Sequence, residues 1–271
     1  MPAPIAEDLT ARLDAAATAA EQAGRRLAAL RDSGRFRDEQ ALGDVGDEAA
    51  DAFLQGFLRG RFPGEAILSE ETEDAPDRLQ QRLVWIVDPL DGTKEYRSGR
   101  HDWAVHVGLA IDGEPVLGAV ALPAIGAVLA AICVPGHERL DVRGGRALVA
   151  ADTTPAGPLR LAVSRSHTPD WIQRFATALG EHTFVPSGSV GFKVSLLLFG
   201  DADLYVHKPG LKEWDTCAPE AVARAAGWAV SRVDGRAPRY NQANARNDEI
   251  VVCRPALHAR VLAELAAQPR A

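Results

Sequence analysis

Six consecutive residues, Asp88-Pro89-Leu90-Asp91-Gly92-Thr93, bring chemically active groups together at the end of an apolar run. Asp88 and Asp91 supply carboxylates, and Pro89 and the Asp91-Gly92 pair favour a turn. The amides of Gly92 and Thr93 would then be available to an anion, because Gly92 has no side chain to block its approach. Carboxylates beside free amides and a hydroxyl indicate a cation that holds a phosphate, although the same residues also occur in ordinary turns.

Two more acidic residues occupy comparable positions. Glu70 follows a short apolar run at residues 66–68, and Asp215 opens a helical pattern after a glycine-containing loop. Each also has a simpler interpretation, since Glu70 belongs to an acidic loop that water could solvate and Asp215 could cap its helix. Carboxylates without clustered histidine or cysteine suit Mg²⁺, which prefers oxygen ligands. Two such ions about 4 Å apart could activate a water molecule and neutralise the departing oxygen of a phosphate ester.

The spacing of the candidate nucleophiles does not fit other mechanisms of phosphate cleavage. Arg224 lies too far from Cys217 for the Cys-x₅-Arg loop of a thiol phosphatase. Asp88, Asp91 and Thr93 are one residue too widely spaced for the Asp-x-Asp-x-Thr motif of an aspartyl nucleophile. Water is therefore the predicted nucleophile.

The composition is that of an acidic globular protein. The chain has 271 residues, of which 46% are hydrophobic and 25% are charged, and its formal net charge is -7. This charge, with no basic run, argues against a nucleic-acid polymer as the main partner. The three cysteines are widely spaced, no apolar run is long enough for a membrane span, and no signal-peptide pattern is present. We therefore expect a cytoplasmic protein.

Hydrophobic periodicity predicts the elements that position the N-terminal acids. A helix is expected at residues 5–31, followed by a glycine-punctuated loop at residues 34–46 and a second helix that begins at Asp47. Residues 83–87 read as a strand that is buried on both faces, because the run is apolar throughout rather than alternating. This strand is expected to stop at Asp88, since Pro89 cannot donate a ladder hydrogen bond.

The pattern changes near the middle of the chain. From Trp103 onward, alternating residues and turns predict an antiparallel meander. Residues 151–158 have the composition of a linker, and beyond them strands and helices alternate. We therefore predict two lobes, an α+β lobe at residues 1–152 and an α/β lobe at residues 153–271.

The motif at residues 88–93, Glu70-Glu71 upstream and Trp214-Asp215 downstream together resemble the lithium-sensitive, magnesium-dependent phosphatase superfamily of inositol monophosphatase. The resemblance implies a layered αβαβα sandwich. Asp-Pro-Leu-Asp-Gly-Thr-Lys-Glu at residues 88–95 and Glu-Trp-Asp-Thr-Cys-Ala-Pro-Glu at residues 213–220 are similar to the 3′(2′),5′-bisphosphate nucleotidase branch. Members of that branch remove the 3′-phosphate of adenosine 3′,5′-bisphosphate (PAP) to leave AMP, and they serve sulfate assimilation.

The resemblance also implies roles for single residues in the catalytic centre. Thr93 would orient or deprotonate the water and relay its proton to Asp47. The amides of Gly92 and Thr93 would hold the phosphate. Two or three Mg²⁺ ions would be held by Glu70, Asp88, the Leu90 carbonyl, Asp91 and Asp215.

The implied substrate contacts lie in the C-terminal half. His167, at the end of Ser164-Arg165-Ser166-His167, would contact the adenosine, and Ser189 and Lys193 would hold the second phosphate. His207 and Asp215 complete the implied set of substrate contacts. Three features depart from the family pattern: residues 44–47 read Asp-Val-Gly-Asp, the spacing from Ser189 to Lys193 is one residue longer than expected, and His207 replaces an arginine, with Lys208 beside it.

The predicted function is therefore hydrolysis of PAP, with its sulfated form, PAPS, as a candidate further substrate. The expected partner is thus a small phosphorylated nucleotide, and the protein is expected to be a monomer or homodimer. An inositol monophosphatase or a fructose-1,6-bisphosphatase would use the same metal ligands. A non-catalytic sensor of cations and phosphorylated metabolites would also use them. The presence of both Thr93 and Asp47, which binding alone does not require, argues against the sensor.

Overall fold

The structure is a computed structural model that describes residues 3–153, 155, 157–166 and 168–268, with side chains from residue 8 onward. The helices are α1 (Ala3–Asp32), α2 (Glu39–Arg61), α3 (Thr93–Arg97), α4 (Asp170–Ala178), α5 (Val190–Leu198), α6 (Glu213–Ala225) and α7 (Pro255–Ala266). The strands are β1 (Ala66–Ser69), β2 (Leu83–Asp91), β3 (Ala104–Ile111), β4 (Glu114–Leu122), β5 (Ala127–Ile132), β6 (Arg139–Arg143), β7 (Leu159–Ser164), β8 (His182–Ser187), β9 (Leu204–His207), β10 (Ala229–Ser231) and β11 (Ile250–Cys253).

The first sheet has the strand order β1-β2-β3-β4-β5-β6. Strands β1 and β2 are parallel, and the other neighbours are antiparallel, as the predicted meander requires. One face of this sheet packs against the apolar stripes of α1 and α2, with Trp85, Val105 and Leu117 among the buried residues. Because Val84 to Asp91 are all buried, β2 is covered on both faces, as predicted.

The second sheet has the order β10-β11-β9-β7-β8. Strand β7 is parallel to both of its neighbours, β8 and β9, whereas β11 is antiparallel to β9 and β10. Residues of α4 and α7, including Phe175 and Val261, pack with one face of this sheet. Residues of α5 and α6, including Val194 and Val222, share a core with the other face and with strands of the first sheet.

The layers are therefore helix, sheet, helix, sheet and helix, and the predicted αβαβα sandwich is confirmed.

Helix α6 lies directly on the first sheet because glycine opens the space. A Cβ atom on Gly118 of β4 would lie 2.5 Å from the carbonyl oxygen of Ala218. None of the helices that the structure describes is long and apolar enough to cross a membrane. The division into lobes at residue 152 stays a prediction.

The second helix begins earlier than the sequence predicted. Helix α2 starts at Glu39, with the Asp38 side chain accepting a hydrogen bond from the Gln40 amide, so the expected loop at residues 34–46 is mostly helical. The glycines suggested a loop, but they serve packing. A Cβ atom on Gly43 would lie 3.1 Å from the Thr93 methyl group. Asp47 is consequently inside the helix rather than at its start, and it faces Thr93.

Strand β2 also runs further than predicted. It continues through Asp88 and Pro89 to Asp91, and its pairing with β3 shifts register between Asp88 and Asp91. The expectation that the strand stops at Asp88 is wrong because this irregularity in the ladder accommodates Pro89. Strand β6 was not predicted; its alternating charged residues resemble an exposed loop.

Candidate active site

The parallel pairing of β1 and β2 brings two of the predicted acids to one sheet edge. Ser69, the last residue of β1, lies opposite Val87 of β2, so Glu70 follows the end of β1 beside the next residue of β2, Asp88. Asp51 of α2 fixes this edge by accepting hydrogen bonds from the hydroxyls of Ser69, at 2.5 Å, and Thr72, at 2.6 Å. The segment that carries Glu70 is therefore held from both sides.

Carboxylate oxygens of Asp88, Asp91 and Asp215 all lie within 4.8 Å of one another. Asp215 reaches this group from the first turn of α6, where its Oδ2 accepts a hydrogen bond from the Lys212 amide at 2.6 Å. Asp91 Oδ2 accepts one from the Gly191 amide at 2.9 Å. The structure thus brings together three of the predicted metal ligands from two distant parts of the chain.

Asp88 has the least satisfied carboxylate of the three. Its Oδ1 accepts a hydrogen bond from the Leu90 amide at 3.0 Å, but Oδ2 is buried without a hydrogen-bond partner among the described residues. Burial and the neighbouring charges of Glu70, Asp91 and Asp215 raise the pKa of Asp88 well above its ordinary value. A buried anion in this state requires a proton or a cation.

The same crowding affects the other acids of the site unequally. Burial and the charge of Asp91 raise the pKa of Asp215 to about 7. Burial would also raise the pKa of Asp91, but His106 and Lys193 hold it below its ordinary value. One carboxylate is therefore ionised among neighbours that resist ionisation, which is the electrostatic state that a bound cation relieves.

Glu70 is not a member of the 4.8 Å group, but it belongs to the same electrostatic cluster. Glu70 is exposed at the protein surface. Its carboxylate is nevertheless partly buried, and this burial, together with the charges of Asp215, Glu71 and Asp91, raises its pKa to about 8. Glu70 is more exposed than the three aspartates. Its assignment as a metal ligand stays a prediction.

Thr93 and Asp47 meet beside the cluster. The Thr93 hydroxyl lies 3.4 Å from Asp47 Oδ1 and 3.2 Å from the Leu90 carbonyl oxygen, either of which can accept its hydrogen bond. Burial and the charge of Glu71 raise the pKa of Asp47 to about 7. A hydroxyl in contact with a carboxylate of near-neutral pKa can pass a proton during a reaction at neutral pH.

The donor set suits Mg²⁺ better than zinc, which is more often held by histidine and cysteine. The gathered groups are carboxylates, which are hard oxygen ligands, and Asp88 Oδ2 is an oxygen that the described residues leave unbonded. The cysteines contribute nothing here. Burial raises the pKa of Cys217 well above its ordinary value, so a thiolate nucleophile is excluded at that residue.

The predicted phosphate-binding residues lie near Asp91, because the Gly191 amide at the start of α5 donates to the Asp91 carboxylate and Gly92 follows Asp91 in the chain. Gly92 has φ of 92°, a conformation that favours glycine, and a Cβ there would lie 3.2 Å from Ser189 Cβ. Ser189 is the N-cap residue of α5, and its hydroxyl accepts a hydrogen bond from the Phe192 amide. Lys193 is buried, and its ammonium donates hydrogen bonds to the carbonyls of Gly188 and Ser189. The structure therefore places Lys193 beneath the site, not at its surface, and its contact with a second phosphate stays a prediction.

A cavity of about 260 Å³ opens at the carboxyl ends of β7 and β9. Its lining includes Ser164, Trp171, His207 and Lys208, and the Lys208 ammonium lies 4.6 Å from the centre of the Trp171 ring. His207 connects this cavity to the buried interior, because its Nδ1 lies 3.3 Å from the Tyr205 hydroxyl. His167, the predicted adenosine contact, lies outside the described residues.

Two residues beside the site were not found from the sequence. His106 of β3 is fully buried; its Nδ1 lies 3.2 Å from the Trp214 carbonyl oxygen, and its Nε2 lies 3.1 Å from Asp91 Oδ2 without the alignment of a hydrogen bond. Asp102 is buried between the turn at Gly92, where the phosphate is predicted to bind, and the start of α5. A histidine in an apolar strand is a signal that could have identified His106, whereas Asp102 precedes its strand and gives no such pattern.

The comparisons with known proteins agree with this geometry. Residues 5–270 match the Inositol monophosphatase family. A 3′-phosphoadenosine 5′-phosphate phosphatase of Mycobacterium leprae is 40% identical over 259 residues, which are 91% of this chain and 92% of the relative. A 3′(2′),5′-bisphosphate nucleotidase CysQ of Salmonella typhimurium is 34% identical over 72% of this chain and 77% of the relative.

The crystal structure of CysQ from Bacteroides thetaiotaomicron, a bacterial member of the same family, superposes with a TM-score of 0.78 at 25% identity. That match covers 90% of this chain and 97% of the other. Sequence and fold therefore lead to one assignment: the chain belongs to the inositol monophosphatase family.

Proposed function

We propose that the protein is a Mg²⁺-dependent phosphomonoesterase that hydrolyses the 3′-phosphate of PAP to give AMP and phosphate. The observation that carries the proposal is the group of Asp88, Asp91 and Asp215 beside the Thr93–Asp47 pair, in which one buried oxygen of Asp88 has no partner in the described part of the chain. The curated relatives with high identity are named for PAP hydrolysis or for bisphosphate nucleotidase activity, which supports the same substrate.

Asp88, Asp91 and Asp215 would hold the Mg²⁺, with Glu70 and the Leu90 carbonyl as further ligands. When bound, Mg²⁺ supplies positive charge for the phosphate oxygens and lowers the pKa of a water molecule. Two or three ions are proposed because the ligand set is larger than the few protein ligands that one Mg²⁺ usually takes.

The chain itself supplies the proton pathway. The Thr93 hydroxyl takes the proton of the attacking water and gives its own proton to Asp47, whose pKa of about 7 allows it to accept one at neutral pH. The Leu90 carbonyl, at 3.2 Å, orients the same hydroxyl. As the new P–O bond forms, the bond from phosphorus to the ribose 3′ oxygen breaks, and that oxygen takes a proton from solvent.

The phosphate and the nucleoside are assigned to separate parts of the site. The amides of Gly92 and Thr93 would hold the phosphate, and the missing side chain of Gly92 lets this turn pack closely against Ser189 and Asp102. The cavity at Trp171, His207 and Lys208 offers an aromatic ring and a cationic side chain, which suit a base and an anionic group. Ser189 packs beside Gly92 and remains the proposed contact for the second phosphate.

The experiment is a phosphate-release assay on purified protein with PAP, inositol 1-phosphate and fructose 1,6-bisphosphate, with Mg²⁺ and with EDTA. We expect Mg²⁺-dependent release that is fastest with PAP, with AMP as the nucleotide product. Faster release from either of the other two substrates would contradict the nucleotide assignment, and equal release in EDTA would contradict the metal assignment. Binding of PAP without phosphate release would favour the sensor.

A further inference from the structure

Asp102 lies at a junction of three segments. It directly precedes the buried Trp103, and its backbone carbonyl oxygen accepts a hydrogen bond from the Ser189 amide at 3.1 Å. The same carbonyl would lie 3.4 Å from a Cβ on Gly92, so it touches the phosphate turn. The residue is therefore packed between the turn at Gly92 and the start of α5.

The Asp102 carboxylate gathers hydrogen bonds from both substrate-facing segments. Its Oδ2 accepts from the Gly188 amide at 2.6 Å, from the Ser187 hydroxyl at 3.4 Å, and from the guanidinium of Arg165. Arg165 also donates to the Pro186 carbonyl at 3.0 Å. One buried carboxylate thus joins the segment after β7 to the segment between β8 and α5.

The contacts are of the strong, charge-assisted kind. Burial would raise the pKa of Asp102, but the hydrogen bonds from Arg165 and Gly188 lower it, so the carboxylate is ionised at neutral pH. Arg100 Nε lies 3.6 Å from the other carboxylate oxygen and adds a second positive charge. The group is not among the three aspartates that gather at the cation site.

We propose that Asp102 and Arg165 are a positioning pair for the nucleotide: they hold residues 164–166 and 187–189 against the turn at Gly92. The inference rests on the proposed function, because it concerns how PAP is oriented. It assigns the pair no contact with the reacting atoms. Loss of the pair releases the nucleotide-binding segments, while the carboxylate cluster keeps its own hydrogen bonds from Gly191 and Lys212.

The test compares Asp102→Asn, Arg165→Gln and the double variant on two substrates, PAP and p-nitrophenyl phosphate, which has no nucleoside. For each single variant we expect KM for PAP to rise roughly 10- to 100-fold, as for loss of a hydrogen bond to a charged group, with kcat for p-nitrophenyl phosphate unchanged. Because the two residues act as one unit, the double variant is expected to match the single variants. Mg²⁺ binding measured by calorimetry is expected to be unchanged.

Asp112→Asn is the matched control, because it breaks an exposed aspartate–arginine pair with Arg82, at 2.8 Å, away from the site. An equal loss on both substrates would overturn the inference, since a general structural defect does not discriminate between them. Strictly additive effects of Asp102→Asn and Arg165→Gln would also overturn it. Failure of the wild-type protein to hydrolyse PAP would refute the proposed function instead, and so would be recognised separately.

Discussion

Asp88 and Asp203 are both buried to 1% exposure or less, yet they have opposite surroundings. Asp203 accepts hydrogen bonds from the Arg160 side chain at 2.9 Å and from Arg254 at 3.1 Å, and its carboxylate is neutralised by the protein. Asp88 has other acids as its charged neighbours, and one of its oxygens has no partner among the described residues. The fold provides two arginines as counter-charges for Asp203, whereas Asp88 requires a positive charge from outside the protein.

This difference separates acids that the protein neutralises from acids that we propose to bind a cation, without reference to any relative. An uncompensated buried carboxylate lowers stability unless a ligand stabilises the folded form. The two regions should therefore respond in opposite ways to substitution. Removal of a charge at the site should affect activity far more than stability, and removal of a charge at Asp203 should do the reverse.

The largest effect is expected for Asp91→Asn. The change removes one negative charge from the cluster of Asp88, Asp91 and Asp215, and we expect kcat/KM for PAP to fall at least about 1,000-fold, equivalent to about 4 kcal/mol of transition-state stabilisation. The free energy of unfolding, measured in urea without Mg²⁺, should change much less than this, because relief of repulsion with Asp88 and Asp215 offsets part of the lost attraction to His106 and Lys193. Near-normal turnover would contradict the metal assignment, and Asp112→Asn controls for loss of an aspartate charge elsewhere.

The next effect concerns proton transfer. Thr93→Val keeps the size of the side chain and removes the hydroxyl that contacts Asp47 and Leu90. We expect kcat to fall roughly 100-fold, with KM for PAP and Mg²⁺ affinity unchanged, because general base catalysis is lost while binding remains. Thr93→Ser should retain most of the activity, and an unaffected kcat in Thr93→Val would remove Thr93 from the mechanism.

Asp203→Asn tests the structural region. We expect the free energy of unfolding at pH 7 to fall by about 2 kcal/mol, with kcat unchanged, because Arg160 and Arg254 lose their anionic partner. Burial would raise the pKa of Asp203, but hydrogen bonds from these arginines lower it below 3.8. The stabilisation is therefore present above pH 3.8 and is lost as the pH falls through the lowered folded pKa.

The difference in stability between the wild-type protein and Asp203→Asn should accordingly shrink at acidic pH. Urea unfolding at a series of pH values measures it. A difference that grows as the pH falls would contradict the assignment of Asp203 as a neutralised carboxylate. A kcat lowered as strongly as in Asp91→Asn would remove the distinction between the two regions.

The smallest effect is expected in the cavity at the ends of β7 and β9. Trp171→Ala removes the aromatic ring that lines it, and we expect KM for PAP to rise roughly tenfold, the size of one lost base-stacking contact. Hydrolysis of p-nitrophenyl phosphate, which has no base, should be unaffected. If both substrates lose activity equally, the cavity does not bind the nucleoside.

The carboxylate cluster could be predicted from the sequence because few residue types can hold a cation and a phosphate. Acids directly after apolar runs are costly unless they have partners, so Glu70, Asp88 and Asp91 were recognisable, and parallel pairing of β1 and β2 then brings Glu70 and Asp88 to one edge. The αβαβα layers followed from the resemblance and agreed with hydrophobic periodicity.

The sequence was insufficient where tertiary contacts decide the outcome. Gly43 and Gly46 suggested a loop, but close approach to Thr93 and Tyr96 favours them inside α2. Spacing alone could not show that Lys193 turns inward to the carbonyls of Gly188 and Ser189. Asp102 acts through partners that are remote in sequence, and no local pattern marks such a residue.

Titration of Mg²⁺ into the substrate-free wild-type protein and into Asp88→Asn, followed by calorimetry, tests most directly whether the unpaired carboxylates form a cation site. We expect saturable binding to the wild-type protein and binding at least about tenfold weaker in the variant, because Asp88 supplies the unbonded oxygen. Equal affinities in the two proteins, or no binding to the wild-type protein, would contradict the account.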